Sequence, residues 1–245
     1  LETGEYIKKG AVTSTYNGIT SEYLTKKLNE DPLAVVINAG TPGIVFNRKL
    51  REQLGSQFVD VGIAEEQAVT MTTGLAKNGA KPVWAVLSTF LQRTYDQLSH
   101  DMALNNQAGV VLVYSASINS MNDESHLGFF DIPFISHIPN FVYLAPINKE
   151  EHLAMLEWAI NQNEHPVAIR VPVGSVVETG EEDRTDYSIL NKNKVVKYGE
   201  QVVIFGVGNF YNLAEEVSEK LKSEHNIEAT LVNPRFLTGL DKKLL

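Results

Sequence analysis

Six short runs dominated by Val and Ile, at 33–39, 58–61, 82–87, 109–114, 141–145 and 166–171, are apolar almost without interruption. A strand with no polar alternation is buried on both faces, and such strands belong to parallel sheets covered by helices. The intervals between the runs agree. Ala64, Ala68, Met71 and Leu75 recur at helical spacing, as do Leu91, Tyr95, Leu98 and Met102, and then Leu153, Leu156 and Ile160. The third stripe follows Pro146 and opens on Asn148-Lys149-Glu150-Glu151, close to a capping box. Together these predict an α/β fold with a mostly parallel sheet and helices on both faces.

Past this unit the pattern changes. Residues 176–198 are charged and carry no sustained stripe, which reads as a linker or surface excursion. Beyond them, 201–207 reads as a strand, 211–222 as a helix with Leu213, Val217 and Leu221 facing inward, and 227–232 as another strand. One crossover of about 30 residues rarely buries enough surface to stand alone. The expected organisation is therefore a first domain over 1–175, a linker over 176–198 and an incomplete second α/β domain over 199–245. The opening LETGEYIKKGAVTST has neither the apolar core of a signal peptide nor the Arg-rich character of a transit peptide, and the chain is expected to be part of a longer polypeptide.

Composition narrows the function. A formal charge of -9 without a basic cluster argues against nucleic acid and anionic membrane surfaces as partners. No apolar run approaches the ~18 residues of a membrane span. The absence of cysteine removes disulfides and thiolate metal sites and fits a cytoplasmic protein, while the 6 histidines lack close metal-ligand spacing. A small-molecule substrate or a protein partner remains.

In parallel sheets ligands gather where strand ends lead into helices. The loops at 38–43, 62–66, 88–93 and 115–128 qualify, and the last, with Asn122, Asp123, Glu124 and His126, has the composition of a site. Two adjacent acids, Glu65 and Glu66, stand where the second strand gives way to a helix. Either could simply answer the positive end of the helix dipole, an effect of roughly 0.3–1 kcal/mol, or serve chemistry. Phe90 reads equally as a core residue at a strand end, Arg93 as a surface ion-pair residue, and the long loop as a solvated one. The GVGN at 206–209 lacks the last glycine of a dinucleotide fingerprint, Tyr211 standing there, and reads as a tight turn.

The segments DVGIAE, GLAKNGAKPV, STFLQRTYDQLSHDMAL, SHLGFFD, IPNFVYLAP, IRVP and VNPRFLTGLD resemble the C-terminal half of thiamine-diphosphate enzymes of the transketolase type, most closely the 1-deoxy-D-xylulose-5-phosphate synthase branch. That resemblance covers 39–241 and implies a pyrimidine-binding domain followed by the start of a transketolase C-terminal domain. It also implies roles. Glu65 hydrogen-bonds N1′ of the cofactor's aminopyrimidine and promotes its imino tautomer, whose nitrogen takes the thiazolium proton. Ile63 lines the cofactor, Phe90 stacks on the pyrimidine, and Arg93 points into the active-site funnel. His126 faces the substrate with catalytic duty, and Asn122 stands where the family has an acid that the neighbouring Asp123 could replace. Gln67 departs from the His usual there.

The family holds Mg²⁺ and the diphosphate with a GDG…N motif that this sequence lacks, so both are expected on a missing domain or subunit, with the cofactor shared across a homodimer. Two further departures bear on substrate. The synthase branch grips a phosphorylated aldehyde with arginines at the positions of Ser115 and Val173, and both guanidiniums are gone. Two other readings stand beside this one: the β component of a 2-oxo-acid dehydrogenase, whose motif differs and which lacks STFLQR, and a non-catalytic module that keeps the fold, against which Glu65, Phe90 and His126 count.

Overall fold

A computed structural model describes residues 15–118 and 124–244. Strands β1 (Ala34–Asn38), β2 (Phe58–Asp60), β3 (Lys81–Leu87), β4 (Val110–Tyr114), β5 (Val142–Leu144) and β6 (Val167–Arg170) form one sheet in the order β2-β1-β3-β4-β6-β5. Every pairing in it is parallel, with Asn38 opposite both Asp60 and Ala85.

The continuous apolar runs split by alternate residues between two cores. Val110, Leu112 and Tyr114 join Leu24 and Leu28 of α1 (Tyr16–Glu30) and Met155 and Leu156 of α6 (Lys149–Asn161). Val111 and Val113 turn the other way, toward Ala68 and Val69 of α3 (Glu65–Lys77) and Ile135 of α5 (Asp131–Ser136). The expected fold class is what the strands build. Sequence reading missed α1, although Tyr16, Thr20, Leu24 and Leu28 recur every four residues and are its buried stripe, and it missed the short α2 (Arg48–Leu54).

The stripe from Leu91 to Met102 does not form one regular helix. A short α4 (Ser88–Leu91) passes into a 3₁₀ turn at Gln92–Thr94 and then a π-helical stretch at Gln97–Ala103. Each change of winding rotates the stripe, so Leu91, Leu98 and Met102 are buried while Tyr95 is exposed, its ring edge-on to Phe134 at 5.4 Å.

The remaining strands, β7 (Lys194–Lys197), β8 (Val202–Phe205) and β9 (Ala229–Asn233), form a second sheet in the order β7-β9-β8. β7 runs antiparallel to β9 and β8 parallel to it. Helix α7 (Tyr211–His225) covers one face, but in a different rotation from the one its large apolar residues suggest. Tyr211, Ala214 and Ser218 are buried, Leu213 and Val217 are exposed, and Leu221 is half-buried. Tyr211 and Ala214 pack against Leu231 and Ile147, while Leu213 and Val217 face away.

The two sheets are joined along β5. After β9 the chain runs back beside it, Ala145 N–H donating to Arg235 O at 2.8 Å and Leu237 N–H to Tyr143 O at 2.7 Å. Glu151, only 2% exposed, accepts from Asn233 Nδ2 at 2.9 Å, Arg235 Nε at 3.2 Å and Ile147 N–H at 3.2 Å. The Asn148 side chain caps α6 by accepting from Glu151 N–H at 2.8 Å, but the Glu151 carboxylate serves this junction instead of closing a capping box. Within 176–198, Tyr187 is buried between Trp158 and Phe236.

Candidate active site

From β1 the chain steps outward to β2 and then returns past β1 to β3. The carboxyl edge at such a reversal opens a crevice between diverging loops. Two polar residues at strand ends shape it. Asn38, fully buried, accepts from Thr41 N–H at 2.8 Å and donates to Ala85 O at 3.3 Å. Asp60 Oδ1 accepts from Gly40 N–H at 2.9 Å and Gly62 N–H at 3.0 Å, tying the loops after β1 and β2 together. Both glycines have positive φ, 70° and 74°, and a Cβ on Gly40 would lie 2.8 Å from Ile63 Cγ1. Ile63 is thus seated on a bare backbone while 80% exposed.

Two residues on, α3 begins at Glu65. Its side chain is 2% exposed, whereas Glu66 is exposed. An acid that only answers a helix dipole has no need of burial, and burying a carboxylate is costly unless it is paired. Here Arg93 supplies the pairing, its Nη1 3.2 Å from Glu65 Oε2. Arg93 stands in the 3₁₀ turn after α4, so the change of winding that takes Tyr95 off the core face also sets the guanidinium over the acid. Gln67 is exposed.

Phe90, half-buried in α4, meets His126 edge-on, with ring centres 5.4 Å apart at 80°. His126 is exposed, and its Nδ1 lies 2.8 Å from Ser125 Oγ. Thr89 Oγ1 donates to Ser125 O at 3.4 Å, so the loop after β4 rests on the turn after β3. Asn122 and Asp123 lie outside the described residues. Ser115 is exposed at the end of β4 with φ 55°, and Val173 is half-buried past β6.

The geometry therefore makes two pairs of the expected residues, Glu65 with Arg93 and Phe90 with His126. Sequence reading missed Asn38 and Asp60; the signal was present as a polar residue at a strand end followed within two residues by glycine. Chemically, a buried carboxylate, an aromatic side chain and an exposed aliphatic side chain on neighbouring loops suit a flat heteroaromatic ring with a nitrogen at its edge. Among the described residues no group of three or more His, Asp or Glu could hold a metal ion.

Comparison with known proteins bears on the same edge. Residues 14–177 match the family described as "Transketolase, pyrimidine binding domain", and residues 191–245 that described as "Transketolase, C-terminal domain". The 1-deoxy-D-xylulose-5-phosphate synthase of Heliobacterium modesticaldum is 36% identical over 245 residues, covering 100% of this chain and 37% of that protein. Those of Clostridium perfringens and Halothermothrix orenii are 35% and 37% identical over 247 residues, covering 100% of this chain and 39% and 38% of theirs. The chain thus spans well under half the length of these relatives. Among solved structures, a split-gene transketolase described as an inactive beta4 tetramer aligns with TM-score 0.72 at 21% identity, over 91% of this chain and 71% of that one. A transketolase variant from Pichia stipitis aligns with TM-score 0.79 at 16% identity, over 94% and 36%. At those identities the likeness is one of fold. The chain belongs to the transketolase family, with that family's pyrimidine-binding domain over residues 14–177 and its C-terminal domain matched over 191–245.

Proposed function

We propose that this chain supplies the aminopyrimidine half of a thiamine-diphosphate site in a transketolase-type transferase that makes or breaks carbon–carbon bonds. The observation that carries this reading is Glu65, an acid buried at the start of α3 beside an exposed one. When bound, the cofactor supplies a thiazolium that stabilises carbanions. Glu65 holds and moves a proton at ring nitrogen N1′, and a carboxyl group shielded from water is suited to general acid–base work of that kind. Arg93 fixes the direction of the Glu65 carboxylate, Phe90 stacks on the ring, and Ile63 packs against it. His126, at the rim, donates or accepts a hydrogen bond at the substrate, with Asn122 and Asp123 beside it in sequence.

The diphosphate and Mg²⁺ belong to another domain or subunit, and the complete site forms in a homodimer in the cytoplasm. The split-gene transketolase chain that shares this fold is described as inactive as a beta4 tetramer, which is how a half-site behaves. No helix among the described residues is long and apolar enough to cross a membrane. The pyrimidine-binding unit is assigned to 1–175, the connection to 176–198, whose last residues add β7 to the second sheet, and the second unit to 199–245. With Ser115 and Val173 where the synthase branch carries arginines, the acceptor is an aldehyde whose phosphate is absent or held by other groups, since neither side chain offers the bidentate fork that phosphate favours.

Glu65→Gln in the assembled enzyme tests the reading. Exchange of the thiazolium C2 proton, followed by NMR, should slow by about 10²-fold or more, the scale of a lost general acid–base group. Unchanged exchange in a folded variant removes Glu65 from the chemistry.

A further inference from the structure

Arg170 closes β6 at the same carboxyl edge, yet it is only 9% exposed. Its Nε donates to Asp131 Oδ2 at 2.7 Å and its Nη2 to Asp131 Oδ1 at 3.3 Å. Asp131 is 1% exposed and is the first residue of α5, the helix that ends the His126 loop. Tyr143 of β5, fully buried, donates its hydroxyl to the same Oδ2. Burial opposes the Arg170 charge, but the hydrogen bonds and charge of Asp131 outweigh it and hold the guanidinium above its ordinary pKa. Burial, and then the charge of Asp131, hold the Tyr143 hydroxyl well above its own.

A buried ion pair is weak support for stability, because desolvation consumes most of its attraction; what a bidentate pair offers is direction. Here β5 and β6 converge on one carboxylate of α5 at the point where a loop becomes a helix. Between that point and His126, Gly128 is buried while Phe129 and Phe130 are exposed. The segment also touches the site through the long Thr89 hydrogen bond and the edge-on ring pair of Phe90 and His126.

We propose that Asp131, gripped by Arg170 and Tyr143, is the positioning residue of the His126 loop, and that Arg170 is thereby committed to that loop and not to a substrate anion. This rests on the reading of His126 as a substrate-facing group. The pair acts on how the acceptor is held, through the loop, and leaves proton transfer at Glu65 alone.

Asp131→Asn removes the charge and strands Arg170; Asp131→Asn with Arg170→Gln removes both charges and keeps polar groups in place, so the double variant carries the test if the single one does not fold. In the chain alone, amide hydrogen exchange over 124–130 should quicken by about tenfold or more while the α3 amides keep their protection. In the assembled enzyme, the acceptor KM should rise by about tenfold with cofactor C2-proton exchange unchanged. Asp131→Glu, which keeps the charge, should recover part of the KM. Unaltered exchange over 124–130 in the folded double variant overturns the proposal, and so does a parallel fall in C2-proton exchange, which would mark general damage. The amide measurement needs no cofactor, so it stands even if Glu65→Gln refutes the cofactor reading.

Discussion

His152 makes the stability of this chain depend on pH in a window set by one ring. It lies on the buried stripe of α6, fully enclosed, with Nε2 2.8 Å from Thr20 Oγ1. The Thr20 hydroxyl donates to Tyr16 O at 2.7 Å, so its oxygen accepts and His152 carries its proton on Nε2. Nδ1 is buried without a partner among the described residues, and Tyr16 presents its ring edge-on at 5.8 Å. Protonation would put a charged N–H where nothing accepts it, and burial pushes the pKa down from 6.5 to about 3. Because the folded value is depressed, the unfolded chain binds the extra proton between these values. Stability is full above the unfolded pKa and falls as pH drops from about 6.5 toward about 3. Between pH 7 and pH 5 the loss comes to about 2 kcal/mol, at ~1.36 kcal/mol per pH unit. In urea titrations with a slope of about 2 kcal/mol/M, that moves the midpoint by about 1 M. His152→Gln keeps a donor for Thr20 and never ionises, so its midpoint should move less over the same interval by that amount. Parallel pH profiles for the two proteins would refute the assignment.

Two other outcomes follow from the half-site and its departures. The chain alone, titrated calorimetrically with thiamine diphosphate and Mg²⁺, should bind weakly or not at all, because on the proposed function the charged anchoring of the diphosphate belongs to another domain or subunit; a Kd of ~1 μM or tighter would contradict this. The assembled enzyme, given pyruvate with either glyceraldehyde 3-phosphate or glyceraldehyde, should show no strong preference for the phosphorylated aldehyde. A strong preference with kcat/KM of about 10⁴ M⁻¹s⁻¹ or more would overturn the substrate reading and the alignment that sets Ser115 and Val173 at the arginine positions.

The parallel sheet was legible because its signal is local: short apolar runs rich in β-branched residues, bounded by turn residues and alternating with helical stripes, fit doubly covered strands. Winding was not legible. Leu91, Tyr95, Leu98 and Met102 fit an α-helical period, but the chain tightens at Gln92–Thr94 and loosens at Gln97–Ala103, and the hydrophobic pattern does not encode that choice. In α7 the largest apolar residues misled, since contact with β8 and β9 selected Ala214 and Ser218 for close approach. The difference between Glu65 and Glu66 came from resemblance alone, and burial is the physical counterpart that no single sequence displays. Least legible were the buried polar partnerships. Asp131 lies 39 residues from Arg170, and Glu151 lies 82 from Asn233, so nothing local announces either.

These partnerships bear on how chemistry and specificity can separate in such a site. Glu65 is placed by α3 and by Arg93 from the next loop, and Ile63 by Gly40 and by Asp60. None of those contacts involves the end of β4 or the turn past β6, where Ser115 and Val173 stand. Ser115 holds a left-handed backbone, a conformation that costs a residue with a Cβ about 1–2 kcal/mol, so the loop after β4 is shaped by its surroundings and not by the preference of the residue there. Arg170, the guanidinium nearest in sequence to Val173, is bound to Asp131 and has little freedom to take over an anion. On the proposed function, exchange of side chains at Ser115 and Val173 therefore alters which acceptor is held without disturbing Glu65, and Arg170, committed to Asp131, does not take over the phosphate.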